Sequence, residues 1–288
     1  MGKPLKRMAT GGPAFAEDRA ADYIRSRQDA DGGFCFYRAW GVEESNAPDT
    51  FYAVAGLQCL GREIPRQDLL TRYLQQRQST SGDFPSLTVA HFALSALRRL
   101  GAGPVHDPRP ALEQWMRRLP GIGLVPDRWS SGLRNLARCV RLALDWSLPP
   151  SAWETAALAL LTISHDAGGG YGIKANPTDT YHALLLHRAL GQTITAADQA
   201  FVRRCEDPVL GMRMAPDSAS TNMETIHAAL RAFSLLGERP RFPTAIGQFL
   251  RRCQHQQGGF GRTGDAIATL ESTWRAIDTR QALQSLGG

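Results

Sequence analysis

Long apolar runs are missing. Although 43% of the 288 residues are hydrophobic, no stretch approaches the about 20 consecutive apolar residues that a membrane-spanning helix needs. The opening MGKPLKRMATGGPAF carries positive charge without an apolar core, so it does not read as a secretory signal. Lys6 also stands where N-myristoylation requires Ser or Thr. Cysteine is scarce. Cys35, Cys59, Cys139, Cys205 and Cys253 are odd in number, form no C-x-x-C and sit mostly within apolar helical patterns. They read as reduced packing residues of a cytoplasmic protein. Lysine is scarcer still: Lys3, Lys6 and Lys174 are the only lysines among 33 basic residues, in a chain of net charge +6. No basic block interleaved with aromatics is present, which argues against nucleic acid. The arginines read phosphate through paired hydrogen bonds and so admit an anionic partner, while solvated outer faces are the simpler use for most of them.

What the chain does have is repetition. A four-residue core, Thr-x-(Tyr/His/Arg)-Ala, starts at Thr50, Thr180, Thr225 and Thr273, with looser copies at Thr88 and Ser131. The six anchors recur at intervals of 38 to 49 residues, which is the signature of a repeat architecture. Gly168 to Gly191 shows the complete unit: a Gly-rich loop, an Asn-Pro-Thr-Asp-Thr cap, an apolar stripe through Ala183, Leu184, Leu186 and Leu190, and a glycine stop. A second helix per repeat is marked by endings such as Phe201-Val202-Arg203-Arg204-Cys205 and Phe249-Leu250-Arg251-Arg252-Cys253, so six repeats predict about twelve helices. The loops between paired helices read Gln28 to Phe34, Gln78 to Phe84, Gly168 to Tyr171 and Gln254 to Gly261. Pro120–Gly123 and Pro208–Gly211 are degenerate versions. Gly supplies positive φ, the aromatic plugs the end of the core, and Gln bonds the neighbouring loop's backbone. Residues 1–16 are expected to form a flexible tail and 17–288 a single domain, one that buries roughly three quarters of its unfolded surface.

Repeats of Gln-x-x-x-Gly-Gly-Phe followed by Asp-Thr-Tyr-x-Ala-Leu and ending in Leu-Gly resemble the prenyltransferase and squalene-cyclase repeat. That family includes the β subunits of protein farnesyl- and geranylgeranyltransferases and the class II terpene cyclases. The resemblance spans about residues 17–288. It implies an all-α (α/α)6 toroid, with inner helices starting at the Thr-x-x-Ala cores around a central cavity.

The resemblance also implies candidate site residues. Protein prenyltransferases hold zinc through Asp-x-Cys and Asp-x-x-His on consecutive inner helices. Here Asp179-Thr180-Tyr181-His182 and Glu224-Thr225-Ile226-His227 occupy those places, with Tyr181 where the thiolate belongs. Asp179, His182 and His227 are therefore the candidate set for Zn or Mg, or for acid/base work; the competing role for such residues is to cap helices and bond carbonyls. Class II cyclases protonate an alkene or epoxide from the middle Asp of Asp-x-Asp-Asp-Thr. Pro48 and Thr178 replace it here, leaving Asp49 as the alternative acid. Lys174, Arg128, Arg134 and Arg138 are candidates for a diphosphate, with Arg134 and Arg138 on one helical face. Tyr52, Tyr181, Trp129 and Trp274 would wall an isoprenoid. Three functions stay open: an enzyme on a prenyl diphosphate, a toroid that binds an apolar ligand without chemistry, and a subunit that works with a protein partner.

Overall fold

The computed structural model describes residues 15–37, 44–118 and 132–287. Among these, twelve α-helices alternate between an outer and an inner wall. The pairs are α1 (Glu17–Arg25) and α2 (Ala47–Cys59), α3 (Gln67–Gln75) and α4 (Leu87–Arg99), α5 (Arg109–Arg118) and α6 (Gly132–Asp145), α7 (Glu154–Ser164) and α8 (Pro177–Ala189), α9 (Ala196–Arg204) and α10 (Met223–Leu236), and α11 (Pro243–Cys253) and α12 (Leu270–Gly287). The even-numbered helices form the inner wall. Each packs on the next, and α12 returns to α2, so the wall is a closed ring. The predicted (α/α)6 toroid is the observed fold. Two two-residue hairpins, β1 (Glu206–Asp207) with β2 (Gly211–Met212) and β3 (Phe260–Gly261) with β4 (Ala268–Thr269), are the strands of the described residues, and both lie in outer-to-inner loops.

Sequence chemistry sets where each inner helix begins. Asn46, Ser86, Asn176 and Asn222 accept the backbone N–H three residues on through their side chains, and Thr269 does so from Ser272. Each such cap contributes about 1 kcal/mol. Outer helices bury one stripe, as α1 does with Ala20, Ala21, Tyr23 and Ile24. Inner helices are covered on most sides: α10 buries Met223, Ile226, Ala229, Leu230 and Phe233 among others.

The repeated Thr and Gln have structural work. The fully buried hydroxyls of Thr50, Thr180 and Thr273 accept the N–H of Phe34, Tyr171 and Phe260, each at 3.0 Å. The loop aromatic is thereby pinned to the start of its own inner helix. Gln28, Gln78 and Gln254 each donate to a carbonyl of their own loop and to a backbone carbonyl just before or at the foot of the next outer helix, Pro65, His106 and Ala16 respectively. This is the inter-repeat bond expected of Gln. In the fourth repeat His165 takes that place and reaches the buried carboxylate of Asp198 instead, at 3.0 Å. Gly258, at φ +95°, lies so close to the Arg19 carbonyl that a Cβ would stand 2.0 Å from its oxygen. That contact, with the Ala16–Gln254 bonds, closes the last repeat on the first.

Two expectations need correction. Thr88 is exposed and lies two residues after the Ser86 cap, whereas Thr50, Thr180 and Thr273 lie four after theirs; the equivalent position in the second repeat is the buried Ala90. Phe15 and Ala16 are not tail: Phe15 stacks on Phe260 at 4.9 Å and Ala16 pairs with Gln254. Ser131, Arg128 and Trp129, and the loop Pro120–Gly123, lie outside the described residues.

Candidate active site

Counting from the caps gives the composition of the toroid's interior layer by layer. Five residues after the cap stand Phe51, His91, Tyr181, His227 and Trp274; six after stand Tyr52, Phe92, His182, Ala228 and Arg275. Because every inner helix starts at the same end, these positions meet at the centre. Phe51 lies 5.4 Å from Phe92 and 6.0 Å from Trp274, and Tyr52 lies 5.3 Å from each of Phe92 and Trp274. His227 adds its ring at 4.9 Å from Trp274. The described interior is thus an aromatic and imidazole cluster whose members touch one another.

A charged network adjoins it. The Tyr52 hydroxyl donates to Glu271 (3.1 Å), Glu271 pairs with Arg275 (2.7 Å), and Arg275 lies 3.6 Å from Glu224, which also pairs with Arg134. Arg138 stacks its guanidinium over Phe92, 5.0 Å from the ring centroid. Burial lowers the pKa of Arg138, and neighbouring Arg134 and Arg275 push it the same way. Burial would raise the Glu271 carboxyl, but Arg275 and Tyr52 outweigh it and hold the group ionised below its usual range. The opposite balance holds at Asp49, where burial prevails over bonds from Asn46 and Phe36 and raises the pKa.

Several predicted site residues do come to the interior: Tyr52, Tyr181, Trp274, His182, His227, Arg134 and Arg138 all sit on inner helices within or beside this cluster. They do not form the predicted metal set. Among the described residues no group of three His, Cys, Asp or Glu is placed to hold a metal ion. The reason is helix register. His182 is six residues after its cap and His227 five after its own, a difference of about 100° around a helix. His182 accordingly donates through Nδ1 to the Thr178 carbonyl at 2.7 Å, and His227 donates through Nε2 to Asp278 at 2.8 Å. Asp179 binds its own cap, Asn176, through one oxygen; the other is buried with no partner. One orphaned oxygen and two engaged imidazoles do not suit a zinc or magnesium ion, and no chemistry here is routed through one. Lys174 is not an interior cation: it pairs with Asp217 at 2.8 Å, and both side chains are about 70% exposed (72% and 69%).

Sequence reasoning passed over Phe51, His91, Phe92, Glu271 and Asp278. A signal was available in α12, where Glu271, Arg275 and Asp278 are spaced i, i+4, i+7 on one face of a helix whose flanks are otherwise buried. Asp278 is held ionised, its burial outweighed by His227 and Arg231, while burial keeps His227 neutral.

Comparison with known proteins bears on the fold. The chain is 28% identical over 223 residues to the drimenyl diphosphate synthase of Streptantibioticus cattleyicolor, a match covering 69% of this chain and 42% of that protein. The chain therefore spans about two fifths of the length of the curated relative it matches. Among solved structures, it superposes on Candida albicans protein geranylgeranyltransferase-I, solved with GGPP, with a TM-score of 0.70 at 12% identity over 94% of this chain and 92% of that one. A type II terpene cyclase from Scytonema, bound to its product merosterolic acid A, matches with a TM-score of 0.56 at 13% identity over 94% and 96%. The model of the prenyltransferase alpha-alpha toroid domain matches residues 7–85 and 195–286. With more than half of its length matched by that model, the chain belongs to the prenyltransferase alpha-alpha toroid family.

Proposed function

We propose that this protein is a terpene-cyclase-like enzyme that acts on a prenyl diphosphate at the centre of the toroid. The observation that carries the reading is the aromatic cluster of Phe51, Tyr52, Phe92 and Trp274 beside the half-buried guanidinium of Arg138. Aromatic faces stabilise a carbocation by their quadrupole, and more strongly where water is excluded. Arg134, Arg138 and Arg275 supply charge for the diphosphate. Cyclisation suits an aromatic lining that can hold a carbocation while it rearranges. The curated relative at 28% identity is also named for a terpenyl diphosphate product.

The protons can be followed through this chain's own residues. Asp49, whose burial favours the neutral carboxyl, gives its proton to a carbon of an alkene and leaves a carbocation. After ring closure a C–H adjacent to the cation breaks, its electrons form a C=C bond, and the proton passes to His227. The imidazolium that results is stabilised by Asp278. Because the lining rings touch, Phe51 or Trp274 must swing aside to admit the isoprenoid.

The test is incubation of the full chain with geranyl, farnesyl and geranylgeranyl diphosphates, with product analysis before and after phosphatase treatment. A cyclised product that keeps its diphosphate is expected, with Asp49→Asn slower by at least about a hundredfold. Binding of the diphosphates without turnover would leave a toroid that holds an apolar ligand. Neither binding nor turnover, with stability gained only in the presence of a protein partner, would support a partner-dependent subunit.

A further inference from the structure

The inner wall is not equally closed all the way round. Of its six neighbouring helix pairs, α4 and α6 touch least among the described residues. A groove of about 320 Å³ opens between their ends, walled by Leu94, Ser95, Leu142 and Trp146. The contacts that do span this seam are polar. Arg98 of α4 pairs with Asp145 of α6, and that arginine is 61% exposed. Further in, the Arg138 guanidinium lies over the Phe92 ring, 5.0 Å from its centroid, and His91 makes a hydrogen bond to the Arg138 main chain. His91 and His227 both stand five residues after their caps, yet they are satisfied differently. His227 bonds Asp278 on the next inner helix at 2.8 Å, whereas Nδ1 of His91 is buried with no partner.

We infer that the inner wall parts at this seam, α6 drawing away from α4 while the outer wall stays joined, and that the parting gives the interior rings room to move. The closed seam holds two groups that water would serve better. One is the orphaned His91 nitrogen; the other is the Arg138 guanidinium, whose pKa is lowered by burial and by Arg134 and Arg275. Opening hydrates both, so part of its cost is returned. No such return is available where α12 meets its neighbours. Parting α12 from α2 would separate Tyr52 from Trp274 and from Glu271, and parting it from α10 would strip Asp278 from His227. The outer wall, by contrast, is stitched across the same junction. Gln78 and His106 exchange two hydrogen bonds at 2.9 and 3.0 Å, and the Trp115 indole N–H donates to Asp83 at 3.2 Å. These contacts act as the hinge, which confines the motion to the inner side. Phe92 stands at the inner edge of the seam and touches Phe51 and Tyr52, so a shift there is passed directly to the aromatic cluster. The inference concerns a motion of the ring and is independent of the isoprenoid reading.

The experiment is amide hydrogen exchange of the full chain, read by mass spectrometry well below the unfolding transition. The middle turns of α4 (90–97) and α6 (136–143) are expected to exchange about tenfold faster, or more, than those of α2 (51–57) and α10 (226–233). Asp145→Asn takes the shared carboxylate from Arg98 and Arg141 and should speed exchange at the seam about threefold. His91→Leu removes the orphaned nitrogen and should slow it about tenfold. Glu17→Gln breaks an ion pair with Arg280 at another junction and should leave the seam unchanged. Arg98→Cys with Asp145→Cys, joined by a short bis-maleimide in a Cys59→Ser background, should bring α4 and α6 to the exchange rate of α2. The link is made on the folded chain, so it decides the matter even if His91→Leu fails to fold. Equal exchange in all inner helices, faster exchange at another pair, or a link that protects nothing would overturn the inference. So would a linked protein that turns over prenyl diphosphates at the unlinked rate. If the seam exchanges as expected and no prenyl diphosphate is turned over, the parting stands and the enzymatic reading falls.

Discussion

Thr180→Val tests whether the repeated threonine is an anchor. The Thr180 side chain is fully buried, and its hydroxyl accepts the Tyr171 N–H at 3.0 Å. Valine has the same shape, so no cavity is made; what changes is that a buried N–H loses its acceptor. Leaving such a donor unsatisfied costs about 1–3 kcal/mol, and at this chain length each kcal/mol lowers the melting temperature by roughly 2–4 °C. Calorimetry or urea unfolding should therefore show a loss of about 2 °C at least. Thr50→Val should behave alike, since Thr50 holds the Phe34 N–H at the same distance. The two sites are three repeats apart, so the double variant should equal the sum within about 0.5 kcal/mol. Thr88→Val is the internal control: it carries the same motif letter but lies exposed on α4, and its effect should stay within about 0.5 kcal/mol. If Thr180→Val costs no more than Thr88→Val, the hydroxyl is not what pins the loop, and the account of the repeat motif is refuted.

The pH dependence follows from the interior imidazoles. Burial depresses the pKa of His91 to about 3 and lowers those of His182 and His227 as well. The unfolded chain binds protons at these sites below about pH 6.5 while the folded chain refuses them. Stability therefore falls as pH drops through that value, by up to about 1.4 kcal/mol per pH unit for each histidine; His91→Gln should flatten the curve in urea titrations between pH 6 and 4, and an unchanged curve would contradict the burial argument. Gly258→Ala should destabilise the ring closure by more than about 2 kcal/mol, because φ is +95° and a Cβ would meet the Arg19 carbonyl. Gly237→Ala, also at positive φ (+68°) but with open space around it, should cost only about 1 kcal/mol. Equal losses would show that crowding at Arg19 is unimportant.

The fold was legible because its determinants are local and repeated. Caps, glycine stops and the Gln-to-aromatic loops each recur with the same physical job, and errors in one copy are corrected by the others. The site was less legible because it depends on rotation about six helix axes. Reading Glu224-Thr225-Ile226-His227 as a copy of Asp179-Thr180-Tyr181-His182 is natural in letters, yet Asn222 caps one residue closer to its Thr than Asn176 does. That single residue turns His227 toward α12 and Asp278 and away from His182. Similarly, Thr88 is a looser copy of the core motif while Ser86 sets the helix start, and the cap decides. Lys174 is a diphosphate candidate because it precedes the cap of α8, but nothing in the local sequence forecasts its pairing with Asp217, 43 residues away. Tyr52, Tyr181 and Trp274 lie five or six residues after an inner-helix cap, where an aromatic meets the interior or a neighbouring helix.

The closed ring has a consequence for how the chain reaches its native state. The surface of α2 is flanked by α4, the next inner helix, and by α12, more than two hundred residues later. During synthesis α2 can acquire its first neighbour at once, but it must wait for the last helix to acquire the second, and the Gln254 and Gly258 contacts with Ala16 and Arg19 wait with it. Loop-closure entropy grows slowly with length, so the delay is set less by that cost than by the time needed to make the intervening repeats. Until then the nascent protein is an open arc with two raw apolar edges. These edges complement each other, and equally well those of a second unfinished arc. Ring closure and pairing between arcs are thus competing second steps, and dilution selects between them.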